Sequence, residues 1–140
     1  MLCVDVNVLV MAFRSDVDQH RAAHDWLDAA QSGDEPACVL TEVAAATVRV
    51  LTNPRIWATP SRGEDVLAAI DDLCAGPAFS LVDAPPSRWP RFASLVTSMG
   101  LRGNDIPDAL LAASSLEMDA VLVTFDRGFL RFPELRVELV

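Results

Sequence analysis

Five acidic residues lie at points of the sequence where they could meet in the folded chain, although they are far apart along it. Asp5 ends the first apolar segment, Glu42 follows the second, and Asp126 follows a later one, while Asp105 and Asp108 open the stretch before it. In open parallel sheets, functional sites lie beyond the carboxyl ends of the strands. Because that topology brings strand ends together, the sequence predicts one shared acidic site.

Metal-assisted hydrolysis is the chemistry that such a cluster favours. Carboxylates gathered in one cleft raise each other's pKa unless a cation holds them. Mg²⁺ and Mn²⁺ take oxygen ligands and keep several waters, so a few carboxylates and a substrate phosphate suffice. Such ions would polarise a phosphodiester and activate water, which makes Mg²⁺ or Mn²⁺ the predicted cofactor. His20 and His24 lie i, i+4 in a predicted helix, but no third ligand is near them, and a solvated helix face is the preferred interpretation.

The elements that must position these acids alternate between strands and helices. Predicted strands begin at residue 2 and cover residues 37–40, 79–82, 120–124 and 136–140, with the last at an edge. Predicted helices cover residues 20–31, 42–51 (capped by Thr41), 64–74 and 87–99, and another opens at 103–107. Strands separated by helices imply an α/β, three-layer fold, in which a short parallel sheet of about five strands has helices on both faces.

The composition predicts that residues 1–140 form one domain. It also predicts a cytoplasmic protein. The chain has 140 residues and is 51% hydrophobic, which is ample for one packed core. No apolar run approaches the roughly 18 residues that span a bilayer. The segment from Met1 to Asp5 places a carboxylate where a signal peptide would carry basic and apolar residues. The three cysteines are far apart, so buried reduced thiols are expected.

The charge balance does not identify the partner. A net charge of −9 would repel phosphates at long range, yet bound metal ions would neutralise part of it locally. All eleven basic residues are Arg, whose planar fork suits phosphate. A basic partner is at least as well predicted by this charge. Several arginines are candidate phosphate contacts, although solvated surface is favoured for each: Arg55, Arg62, Arg88, Arg91 and Arg102.

Two phosphotransfer folds also place an early Asp at the end of a strand. Receivers add a Lys that contacts the phosphoryl group, and this chain contains no Lys. Aspartyl phosphatases need a second Asp two residues after the first, and that position is Asn7. Both alternatives are therefore excluded.

At four places the sequence resembles the PIN-domain ribonucleases, and most closely the VapC toxins of bacterial toxin–antitoxin pairs. The matching segments are 4–9 (VDVNVL), 41–43 (TEV), 103–113 (GNDIPDALLAA) and 124–132 (TFDRGFLRF). They follow the family's order over the whole chain. Each segment alone is weak, and together at these spacings they are strong.

The resemblance implies a metal-dependent endoribonuclease and toxin. It makes Asp5, Glu42, Asp108 and Asp126 the metal-binding catalytic acids. It also implies hydrolysis that leaves 5′-phosphate and 3′-hydroxyl ends, a VapB-type antitoxin partner and a homodimer. The alternative is a degenerate PIN fold that binds RNA or protein without nuclease activity; loss of one or two acids would indicate it, and all four are present.

The resemblance gives a supporting role to two further residues and leaves the role of a third undetermined. Asn7 and Thr124 would orient the carboxylates, a support that metal ligands generally need. Asp105 is an extra acid that not all relatives share, and its role as a fifth metal ligand or as a helix cap is left open. It stands two residues before Pro107, where an N-cap is expected, whereas Asp108 lies inside the helix and is free to bind metal.

Overall fold

The computed structural model describes all residues from 1 to 140 and contains one five-stranded parallel sheet. Its strands run in the order β3-β2-β1-β4-β5. They are β1 (Leu2–Val4), β2 (Ala37–Leu40), β3 (Phe79–Val82), β4 (Val121–Thr124) and β5 (Val137–Leu139). The predicted α/β class and the parallel sheet are confirmed, and β5 lies at an edge as expected.

Six α-helices connect the strands. They are α1 (Val6–Phe13), α2 (His20–Ser32), α3 (Thr41–Leu51), α4 (Gly63–Cys74), α5 (Arg88–Met99) and α6 (Asp105–Glu117). A 3₁₀ helix, Arg127–Arg131, follows β4. No helix is long and apolar enough to cross a membrane.

Both faces of the central sheet are covered. Every residue of β1 and β2 is buried, although neighbouring side chains on a strand point to opposite faces. The core therefore continues on both sides of the sheet, where Cys3, Val4, Val39, Leu122 and Val123 are fully buried. This burial explains the uninterrupted apolar strand sequences.

Helix α1 was not predicted from the sequence. Its eight residues, VNVLVMAF, are mostly apolar, so they show no clear helical alternation of polar and apolar side chains. Four of them are buried: Val8, Leu9, Val10 and Ala12. The helix packs against α2 and α3 as well as β4, and this tertiary burial outweighs the weak helix propensity of its valines.

Two predicted helix caps are wrong. Thr41 is the first residue of α3 rather than its cap, and its hydroxyl donates to Asp83 Oδ1 at 2.6 Å. The register between β2 and β3 pairs Leu40 with Val82, so the next residues, Thr41 and Asp83, become neighbours. Asp105 is likewise the first residue of α6, and neither it nor Asn104 makes a side-chain capping hydrogen bond.

Candidate active site

The central strands bring Asp5 beside Thr124. The register between β1 and β4 pairs Val4 with Val123, so the residues that follow each strand start from neighbouring positions. The backbone N–H of Asp5 donates to the carbonyl of Val123 at 3.0 Å, which extends the pairing one residue beyond β1. Asp5 itself is only 7% exposed. A carboxylate is thereby held at the edge of the core.

The side chains of Asp5, Asn7 and Thr124 form a closed hydrogen-bond network. The Thr124 hydroxyl donates to Asp5 Oδ2 at 2.6 Å, and Asn7 Nδ2 donates to the same oxygen at 2.7 Å. Asn7 Oδ1 accepts the backbone N–H of Phe125 at 3.1 Å, which fixes the orientation of the amide. Asn7 and Thr124, both selected from the sequence, therefore contact Asp5 directly.

Thr124 also joins Asp5 to Asp126. Its oxygen accepts the backbone N–H of Asp126 at 3.0 Å and Asn7 Nδ2 at 2.9 Å, while its single proton goes to Asp5. A hydroxyl offers one donor and two acceptor sites, so all of them are used. The orientation of this buried hydroxyl is thus determined by residues that follow β1 and β4 in the sequence.

Asp126 turns its carboxylate onto the 3₁₀ helix that follows it. Its Oδ1 accepts the backbone N–H of Gly128 at 2.7 Å. A Cβ at Gly128 would lie 2.9 Å from that oxygen, closer than real contacts allow. Glycine at this position therefore lets the chain pass close to the carboxylate.

Two adjoining cavities bring the acids together. One, of about 310 Å³, is lined by Asp5, Glu42 and Asp108. The other, of about 300 Å³, is lined by Asp5, Asp108 and Asp126. Asp5 and Asp108 belong to both, so four of the acids selected from the sequence surround one region. Asp105 lines neither cavity.

Burial and the neighbouring acids together raise the pKa values of Asp5 and Asp108. Burial raises the pKa of Asp5; the hydrogen bond from Thr124 opposes this rise, and the charges of Asp108 and Asp126 add to it. Burial also raises the pKa of Asp108, with a further rise from Asp126 that the charge of Arg131 opposes. Both carboxyls carry a penalty for ionisation that a nearby cation would remove.

Two arginines of the chain partly neutralise the acids. Arg88 forms an ion pair with Glu42 and donates to Ser114 Oγ at 3.0 Å. Arg131 contacts Asp105 Oδ1 at 3.0 Å and Asp108 Oδ2 at 3.4 Å. Arg88 was predicted as surface, whereas Arg131 was not singled out, because an arginine shortly after a turn carries no signal in a single sequence.

The donor set fits a hard divalent cation in its chemistry. Asp5, Asp108 and Asp126 line one cavity; of the three, only Asp108 is in an ion pair, with Arg131 at 3.4 Å. As the side chains are placed, however, no group of three or more His, Cys, Asp or Glu side chains is close enough to hold a metal ion. A cation bound at Asp108 would compete with Arg131 for this carboxylate, and the acids would have to move closer together to bind it jointly.

The two histidines are separate from this region. His20 Nδ1 lies 3.1 Å from the carbonyl of Met11, and His24 Nδ1 lies 3.2 Å from Asp28 Oδ2. Neither lines the two acidic cavities. The preferred interpretation of these residues as part of a helix surface is consistent with their positions.

Comparisons with known proteins identify the family to which the chain belongs. A family model described as PIN domain matches residues 2–135. The chain is similar to Ribonuclease VapC43 of Mycobacterium tuberculosis, with 41% identity over 136 residues, which are 97% of this chain and 92% of that protein.

Two solved structures share the fold. VapBC2 from Rickettsia felis, bound to a DNA fragment from its promoter, aligns with a TM-score of 0.72 and 18% identity over 99% of this chain and 97% of that one. Mycobacterium tuberculosis VapC20, described as a sarcin-ricin loop cleaving toxin, aligns with a TM-score of 0.69 and 16% identity over 97% of this chain and 99% of that one. At these identities the likeness establishes the fold alone.

Proposed function

Because the chain belongs to the PIN-domain family, we propose that Asp5, Glu42, Asp108 and Asp126 form the metal-binding active site of an endoribonuclease. The family assignment carries the reaction class: the chain is a VapC-type ribonuclease and the toxin of a toxin–antitoxin pair. The two cavities that share Asp5 and Asp108 carry the assignment of residues, since they gather the four acids around one region.

Asp5 is the acid that the fold holds most firmly in this proposal. It is buried, it accepts hydrogen bonds from Thr124 and Asn7, and its raised pKa favours binding of a cation. Asp108 and Asp126 would complete the metal ligands on one side, and Glu42 would act from the other side. Bound Mg²⁺ or Mn²⁺ would supply charge to polarise the phosphodiester and to lower the pKa of the attacking water.

The residues around the acids set orientation rather than chemistry. Thr124 and Asn7 both donate to Oδ2 of Asp5, which fixes the orientation of its carboxylate. Gly128 holds Oδ1 of Asp126 through its N–H, which leaves Oδ2 available. Such support keeps ligand oxygens in place and raises the affinity for metal.

A small antitoxin and a second copy of the chain are the proposed protein partners. The net charge of −9 suits a basic segment, and an arginine of that segment would pair with the carboxylates and compete with metal. The solved VapBC structures that share this fold support the antitoxin. The homodimer is proposed by analogy with the family. Expression of the chain alone should slow growth of its host, and co-expression of the partner should restore it.

Cleavage of RNA by the purified chain tests the proposal. We expect cleavage with Mg²⁺ or Mn²⁺ and none with excess EDTA. The Asp108→Asn variant, prepared identically, controls for contaminating nucleases. Full cleavage in EDTA, or equal cleavage by the variant, would contradict the proposed metal site. Binding of RNA without any cleavage would instead support the degenerate PIN fold.

A further inference from the structure

The positive charges that border the acidic cavities differ in what they contact. Arg88 is paired with Glu42, and Arg131 is paired with Asp105 and Asp108. Arg49 lines the cavity of about 310 Å³ together with Asp5, Glu42 and Asp108. It takes part in none of the ion pairs of the chain. Arg49 is therefore the cation of this cavity that is free to bind a ligand.

Helix α3 fixes the distance between Arg49 and the acids. Glu42 and Arg49 are seven residues apart, which is nearly two full turns, so they lie on the same helical face. A rise of about 1.5 Å per residue separates their Cα atoms by roughly 10 Å along the axis. Ala46 lies between them and also lines the cavity, and its small side chain leaves the space between the two charges open.

We propose that Arg49 binds a phosphate of the RNA backbone next to the one that is cut, an inference that rests on the ribonuclease function proposed above. The guanidinium is exposed, always charged and planar, and its fork matches two phosphate oxygens. Its Cα lies roughly 10 Å along α3 from that of Glu42, and its side chain lines the same cavity as the acids, so it can reach a phosphate of a strand that lies along this cavity.

The acidic surroundings give this contact its importance. The cavity presents three carboxylates and a single unpaired cation to a polyanion. Without Arg49, the repulsion between these acids and the RNA would be offset only by the metal ions and by Arg88 and Arg131, which are already paired with Glu42 and Asp108. The contact is to the backbone, so it positions the strand and carries no base specificity. Arg49 acts here as a positioning residue for the strand.

Salt-dependent binding of RNA measures the contact directly. The probe is a short fluorescein-labelled oligouridylate, bound in Mg²⁺ to the Asp108→Asn chain so that it is not cut, and followed by fluorescence anisotropy over a range of salt concentrations. For single strands, each phosphate contact contributes about 0.7 to the slope of log affinity against log salt. Adding Arg49→Gln should lower the slope by about 0.7 and weaken binding about tenfold.

Two companion variants separate a specific contact from a general loss of charge. Arg49→Lys keeps the charge and should retain most of the slope. Arg136→Gln also removes one positive charge. Arg136 pairs with Asp119 where β4 and β5 begin, at the end of the strands opposite the acids, so this variant should leave the slope unchanged. In the chain with Asp108 restored, Arg49→Gln should raise KM about tenfold with little change in kcat.

The inference is overturned if folded Arg49→Gln keeps the parent's affinity and slope, or if Arg136→Gln weakens binding equally. Failure of the Asp108→Asn parent to bind the oligouridylate would also overturn it. Failure of the proposed function looks different, because the unmutated chain would then cut no RNA in Mg²⁺. Cleavage by the unmutated chain with no effect of Arg49→Gln refutes the role of Arg49 alone.

Discussion

The Thr124 hydroxyl donates a hydrogen bond of 2.6 Å to Oδ2 of Asp5, across 119 residues of sequence. Asp5 directly follows β1 and Thr124 is the last residue of β4, so the bond depends on the register between these neighbouring strands rather than on any local segment. Burial raises the pKa of the Asp5 carboxyl, and this hydrogen bond lowers it. A proton donor at this position therefore controls how readily Asp5 ionises.

Replacement of Thr124 by Val tests this relationship. Val keeps the shape but removes the acceptor of one Asn7 Nδ2–H and of the backbone N–H of Asp126, which should lower the free energy of unfolding by about 1–3 kcal/mol. It also removes the bond that lowers the pKa of Asp5, so the acid side of the pH–activity curve should move to higher pH. Thr124→Ser retains the hydroxyl and is the matched control. Identical curves for Val and wild type would contradict the assigned role.

Asp5 should destabilise the metal-free chain at neutral pH. Its folded pKa lies above the ordinary value, so between these two values the folded chain binds more protons, and stability falls as pH rises through that window. Asp5→Asn should therefore raise Tm at neutral pH by a few degrees in EDTA, and the gain should shrink below the ordinary carboxyl pKa.

Asp16 provides a control for that experiment, because replacing it should change Tm in the opposite direction. The hydrogen bond from Arg14 lowers the pKa of Asp16, so its stabilising contribution is present above the ordinary carboxyl pKa and is lost as pH falls. Asp16→Asn should lower Tm slightly at neutral pH, because the group is exposed and solvent screens the pair. A lower Tm for Asp5→Asn at neutral pH would contradict the burial penalty.

Asp108 and Asp105 should differ in their importance for cleavage. Both contact Arg131, but Asp108 lines both cavities and Asp105 lines neither. Asp108→Asn should abolish cleavage, and Asp105→Asn should keep measurable activity, with both variants folded by circular dichroism. The reverse order of residual activity would refute the assignment. Complete loss in both would make Asp105 a member of the site.

Gly128 should be required for the position of the Asp126 carboxylate. A methyl group there would meet Oδ1 at 2.9 Å, and the end of that side chain can move, so the fold should tolerate the change. We expect Gly128→Ala to lower cleavage roughly tenfold with little change in Tm. Gly76→Ala, where nothing lies within 4 Å of the added atom, is the control. Unchanged activity of Gly128→Ala would show that the Asp126 carboxylate needs no fixed position.

The strands and the acids were predictable because their signals are local. β2 and β3 are short apolar segments with the bounds expected from the sequence, and an acid after a buried strand is unusual enough to be noticed. Helix α1 was missed because it is at least partly buried on nearly all sides. Its sequence is therefore apolar throughout and lacks the alternation of polar and apolar residues that identifies a surface helix. The ion pair between Arg131 and Asp105 and the hydrogen bond from Thr41 to Asp83 depend on strand register and on the path of the loops. The sequence does not specify either.

The position of a bound Mn²⁺ ion tests the central claim most directly. A crystal of the chain soaked in Mn²⁺ should show an anomalous peak among the carboxylates of Asp5, Asp108 and Asp126, with Arg131 displaced from Asp108. The same peak should be absent from crystals of Asp108→Asn soaked in parallel. A peak elsewhere with none among these acids, or an unchanged peak in the variant, would contradict the proposed metal site.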